Sequence, residues 1–274
     1  MNYKDEFDKV FFQFKELKSS VSETEVEKKL YNYVYYSNKL EGNRLSLAAT
    51  TILLQHNIAQ GNLPLKDYLE AKGHFKSLKF VLSSAANKYP LDERILKQAN
   101  KLTLETYWAL EDAYFNWKEA GQKLGEYKIL KNKIMWSLES EKGEIKPHSS
   151  VETVANNMKD ILKKFNNSKV HFIEKAAFLA FQIFINQPFP DGNKRTARLI
   201  TTFISIKEGL PLTAFDNQGK KNNFNNALIL SYLKKDSRIF EEFLSKEFST
   251  EMYKVIEQEK RINKSQKSGP TFLI

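Results

Sequence analysis

The chain has 274 residues, 41% hydrophobic and 13% aromatic, enough for one large domain or two small ones with an aromatic-rich core. With 0 Cys and 4 scattered His it offers no disulfide framework, no thiolate metal site and no histidine ligand spacing. The net charge of +10 is carried almost wholly by lysines interleaved with acids, which reads as a solvated surface and disfavours a nucleic-acid groove.

Tyr3, Phe7, Val10, Phe11, Phe14 and Leu17 recur at helical spacing and predict an amphipathic first helix. This mixed-charge start does not read as a signal peptide, and no apolar run reaches the ~18 residues of a membrane span. A cytoplasmic protein with no membrane partner is therefore expected. Ser22 and Glu25 form a capping-box start for a second helix through Val26, Leu30 and Val34, with Gly42 and Asn43 as its stop. Further helices are predicted over 46–57, 65–87, 91–118, 151–166, 171–186, 194–208, 220–235 and 237–262, with 264–274 as a loose tail. One stretch departs from the helical period. Residues 125–147 alternate Ile129, Lys131 and Lys133 against Leu130, Asn132 and Ile134, with turn residues at Glu141 to Gly143, and predict a β-hairpin or flap. The expected fold class is all-α with one small hairpin.

The stretch NQPFPDGNKRTAR, residues 186–198, joins two segments apolar on nearly every face. A polar, basic loop mounted on two buried helices points to binding. Gly192 permits close backbone approach or a positive φ. The following helix N-terminus presents free N–H groups, and Arg195 and Arg198, three apart, share one face of its first turns. Two guanidinium forks there suit a phosphate, and Asp191 beside them suits a divalent cation shared with a polyphosphate. The alternative is a structural loop in which Asp191 caps the helix and the arginines pair with acids.

Gln187-Pro188-Phe189-Pro190-Asp191-Gly192-Asn193-Lys194-Arg195-Thr196-Ala197-Arg198 resembles the signature of the Fic (Fido-fold) family, and Ser37-Asn38-Lys39-Leu40-Glu41-Gly42 resembles its inhibitory helix motif. The resemblance spans about residues 30–235. It implies an N-terminal helical extension (1–30), a Fic domain (31–235) with an inhibitory helix near 30–43, and a C-terminal helix and tail (236–274). The family is mostly helical and usually transfers AMP from Mg-ATP to a protein hydroxyl. By that likeness Asp191 would hold Mg²⁺, and Gly192, Asn193 and Lys194 would shape the phosphate cradle. Arg195 and Arg198 would meet the β- and γ-phosphates, and Phe189 would anchor the loop. Ser37, Glu41 and Gly42 would form the inhibitory element, with Glu41 competing for Arg198. The hairpin, from Ile129 to Ile134, would be the flap that docks a protein substrate or partner; assembly into a homo-oligomer is compatible with all of this.

Gln187 stands where the family has its catalytic histidine. A carboxamide cannot take a proton near neutral pH, and loss of a general base costs on the order of 10² to 10⁴ in rate. The expected function is thus a Fic-type protein resembling AMP transferases, held in check by Glu41 and impaired at Gln187. A non-catalytic nucleotide- or protein-binding relative is one alternative. Lys194, shared with the death-on-curing toxins, adds a phosphotransferase as another.

Overall fold

A computed structural model of the chain describes residues 2–17, 23–138, 140–215 and 223–267. Among these residues the regular structure is eleven α-helices and one two-stranded hairpin. At the centre lie α8 (Phe172–Asn186) and α9 (Asn193–Lys207), packed on one another. Every residue from Arg195 to Ser205 is buried, polar and apolar alike, so its arginines, threonines and serine need partners inside the fold. Around α9 stand α4 (Leu65–Ala86) and α5 (Glu93–Leu104), and α2 (Glu23–Lys39) packs on α4 and brings its C-terminal end to the first turns of α9. α3 (Leu47–His56) covers α2 and α4, and α7 (Val154–Asn167) covers α8. α1 (Tyr3–Lys15) lies along α11 (Arg238–Lys267), which also packs on α8 and α10 (Phe224–Lys234). Phe7 of α1 and Phe248 of α11 therefore share one hydrophobic core with Phe184 and Phe203.

Short polar signals set the helix starts. Ser46 accepts from the Ala49 N–H, Asp92 from Ile95 and Asn223 from Asn226, satisfying donors that the helix itself leaves free. α4 and α5 approach closely because of Gly73. A Cβ there would stand 2.6 Å from Thr106 Oγ1 and 2.7 Å from the Thr103 carbonyl.

The structure corrects three expectations. The helix predicted over 91–118 stops at Leu104 and gives way to turns, a 3-10 turn (Asp112–Tyr114) and the short α6 (Phe115–Glu119). Its aromatic residues do not line one helix face. Leu104, Tyr107, Trp108 and Tyr114 fold into a small cluster of their own, with Trp108 stacked on Tyr114 at 4.3 Å. The hairpin is also displaced. β1 (Ile134–Leu138) pairs antiparallel with β2 (Glu141–Ile145), Ile134 opposite Ile145. Ile129 to Lys133 are not strand, and Glu141 to Gly143 lie within β2 instead of forming its turn. Gly143 serves packing: the Trp136 ring opposite it would lie 2.8 Å from an added Cβ. Finally, α11 runs to Lys267, past the predicted end at 262 and into the predicted tail. The expected cap at Ser22, the helix start at 220–222 and tail residues 268–274 lie outside the described residues. No helix among the described residues is long and apolar enough to cross a membrane.

Candidate functional site

The loop between α8 and α9 is tied inward by its own side chains. α8 ends at Gln187, whose φ of +44° turns the chain and whose N–H reaches the Ile183 carbonyl at 3.1 Å. Gln187 is buried. Its amide donates to the Phe184 carbonyl at 2.7 Å, and its Oε1 accepts from Asn193 at 3.0 Å. Asn193 also accepts from the Phe189 N–H and donates to the Phe189 carbonyl, closing the loop around a fully buried Phe189. Gly192, at φ +73°, leads into α9, and a Cβ there would stand 3.1 Å from Asn100 Nδ2 and 3.3 Å from Leu104. Asn100 holds the backbone from below, donating to the Asp191 carbonyl at 2.9 Å and to Thr196 Oγ1 at 3.2 Å. From the other side, the Lys128 N–H donates to the Pro188 carbonyl, and Asn132 donates to the carbonyls of Gln187 and Phe189.

The charges are held as firmly. Arg198 is fully buried. Its Nε donates to Ser37 Oγ at 2.8 Å, Nη1 to Asn225 Oδ1 at 2.8 Å, and Nη2 to the Ser37 carbonyl and to Glu41 Oε1 at 2.7 Å. Burial alone would raise the Glu41 carboxyl. The positive charges of Arg198, Lys194 and Arg195 outweigh it and hold the group at about 2. Lys194 Nζ stands 3.7 Å from the other Glu41 oxygen. The Gly42 φ of +88° lets the chain turn away after α2, so that Glu41 faces α9. Arg195 is buried and donates to Tyr107 Oη at 2.6 Å, with Glu70 and Asp191 at 3.6 and 3.9 Å. Its Nε and Nη1 have no hydrogen-bond partner among the described residues. Asp191 accepts from Tyr114 Oη at 2.5 Å and from the Gly192 N–H at 2.6 Å, and keeps 46% of its side chain exposed. Behind these groups His74 is buried and stacked on Tyr33. Desolvation, with Arg195 and Arg198 nearby, depresses its basicity and keeps it neutral.

A sequence model described as the Fic/DOC family matches residues 90–205. The fold is similar to a Fic-domain-containing signaling protein from Bacteroides thetaiotaomicron, at a TM-score of 0.76 and 25% identity over 93% of this chain and 97% of that one. The chain carries a Fic/DOC domain and has the Fic fold. Among curated Fic proteins it is 25% identical over 182 residues to protein adenylyltransferase fic-1 of Caenorhabditis elegans, covering 65% of this chain and 32% of that protein. It is 24% identical over 195 residues to protein adenylyltransferase Fic of Nematostella vectensis, covering 68% of this chain and 40% of that protein. The chain thus spans about a third to two-fifths of the length of these Fic relatives.

The Fic fold brings Ser37 and Glu41 to Arg198, and Asp191 and Arg195 to one side of the loop. It disperses the other residues expected of the flap: Ile134 alone of Ile129 to Ile134 is in the hairpin, while Asn132 faces the signature loop. Five polar residues of the site escaped the sequence reading: Glu70, Asn100, Tyr107, Tyr114 and Asn225. All come from elements distant in sequence, and none sits in a recognisable motif. The apolar setting of Asn100 within α5 is the one local hint, because a buried amide needs partners.

Proposed function

We propose that the chain is a Fic-type protein that binds Mg-ATP at the α8–α9 loop and is held in check by Glu41, with AMP transfer to a protein hydroxyl as the associated reaction class. The observation that carries this reading is the buried Arg198 fork occupied by Glu41, on a loop that resembles the Fic signature at every position argued to hold nucleotide and departs from it at Gln187. One carboxylate and one phosphate oxygen compete for such a fork on equal geometric terms.

The residues present fit the nucleotide. Arg195 Nε, without a hydrogen-bond partner among the described residues, and Nη1, which has only the Glu70 carboxylate at 3.6 Å, suit phosphate oxygens, and the half-open Asp191 carboxylate suits a divalent cation. The missing side chain of Gly192 lets the loop pack closely on Asn100 and Leu104. When bound, Mg-ATP supplies the phosphoryl centre that a hydroxyl attacks. Gly192, Asn193 and Lys194 would shape the cradle, Arg195 and Arg198 would bind terminal phosphates, and Asp191 would hold the cation. Tyr114 and Asn100 orient the loop that carries these groups. Gln187 can orient by hydrogen bonding but cannot remove the hydroxyl proton. Its amide is moreover spent on Phe184 and Asn193, which favours a second reading: a relative that binds nucleotide without transferring it. Lys194 keeps phosphate transfer of the death-on-curing kind as a third.

The test is calorimetric titration of Mg-ATP into the chain, Glu41→Gly, and Glu41→Gly with Arg198→Ala. Binding revealed by the first substitution and lost with the second is expected, and absence of binding in all three refutes the pocket. ATP labelled at the α- or the γ-phosphate then separates AMP transfer, phosphate transfer and binding alone.

A further inference from the structure

Beside the hairpin, outside the nucleotide site, lies a groove of about 680 Å³. Lys128, Lys131, Lys133 and Lys146 line it, with Glu144 as its one carboxylate. Glu144 is engaged by Lys133 at 3.1 Å. Lys131 and Lys146 are exposed. Lys128 is different. It is only 3% exposed, yet its ammonium meets no carboxylate among the described residues. It donates to two neutral oxygens, Asn132 Oδ1 at 2.9 Å and the Asn186 carbonyl at 3.1 Å. Burial lowers its basicity to about 8. A buried cation without a counter-charge is costly and gains from an incoming anion. Through Asn186 and Asn132 this lysine is also fastened to the signature loop.

We propose that this groove recognises an acidic segment of the protein that carries the acceptor hydroxyl, with Asp or Glu side chains placed against Lys128, Lys131 and Lys146. No Phe, Tyr or Trp lines the groove, so it lacks the stacking surface on which single-stranded nucleic acid relies. Lysines without arginines give point charges, sufficient for carboxylates. The proposal deepens the transfer reading by naming a substrate class, and rests on that reading only for the acceptor's role.

The experiment uses the full chain carrying Glu41→Gly. Dye-labelled short peptides with a central Thr-Tyr are flanked by Asp and Glu, by Asn and Gln, or by Lys, and a short single-stranded DNA is included. Fluorescence anisotropy is read at low and high salt. The acidic peptide should bind at least about tenfold more tightly than the neutral one and weaken with salt. Lys131→Glu with Lys146→Glu, both at exposed positions, should abolish that preference while Mg-ATP binding in the same variant persists. Equal affinity for the neutral peptide, an unchanged acidic preference after charge reversal, or tighter binding of the DNA would each overturn the proposal. Absence of Mg-ATP binding to the Glu41→Gly chain itself, alongside an acidic preference that charge reversal abolishes, would instead sink the nucleotide reading and leave the groove standing.

Discussion

Glu41→Gln isolates the charge of the Glu41–Arg198 pair. The amide keeps the side chain's size and an oxygen for Arg198 Nη2, and removes only the negative charge. A carboxyl held at about 2 instead of 4.5 corresponds to about 3 kcal/mol of folding free energy at neutral pH, at ~1.36 kcal/mol per tenfold change in proton affinity. Because the folded value lies below the unfolded one, this stability is present above pH ~4.5 and is lost as pH falls toward ~2. Urea unfolding of the two proteins from neutral pH to ~3 reads the difference directly. The gap should be about 3 kcal/mol at neutral pH and narrow to about 1 kcal/mol near pH 3. Asp92 and Asp236, which are also held low, titrate alike in both proteins and cancel. A gap that stays constant with pH, or one below about 0.5 kcal/mol, would refute the electrostatic account of the pair. The same free energy limits the brake. A nucleotide that must displace Glu41 should bind on the order of 10²-fold more weakly to the native chain than to a variant without it.

In a Glu41→Gly background, Gln187→His should raise transfer of labelled α-phosphate by about 10² to 10⁴-fold; no increase would show that more than the base is missing. Asn100→Ala removes the donor to Asp191 and Thr196 and should cost about 1–3 kcal/mol in chemical denaturation while weakening Mg-ATP binding. Gly192→Ala puts a Cβ at φ +73° and 3.1 Å from Asn100, and should cost a further ~1–3 kcal/mol. A fully stable Gly192→Ala variant with unchanged Mg-ATP affinity would show that the loop's packing on Asn100 and Leu104 tolerates a side chain.

The helices and the signature loop were legible because their information is local. Long apolar stretches mark α8 and α9, and Gly192 within the loop marks a turn whatever surrounds it. The Ser37–Glu41 element could be matched to Arg198 only through its resemblance to a family motif, since no spacing links residues more than 150 positions apart in the chain. What the tertiary structure alone decided is how each charge is held. The turn after Leu104 hides behind an apolar period that looks helical, because Tyr107, Trp108 and Tyr114 bury against one another. That turn sets the Tyr107 hydroxyl on Arg195 and the Tyr114 hydroxyl on Asp191. Ile129 to Lys133 alternate like a strand, yet Asn132 is drawn onto the loop carbonyls and the strand begins only at Ile134. Lys128, one of many lysines in the sequence, becomes a buried cation only because the loop and hairpin close around it. Periodicity reports which face of a segment is apolar; which buried polar group meets which is fixed by contacts between distant segments, and desolvation makes those contacts obligatory.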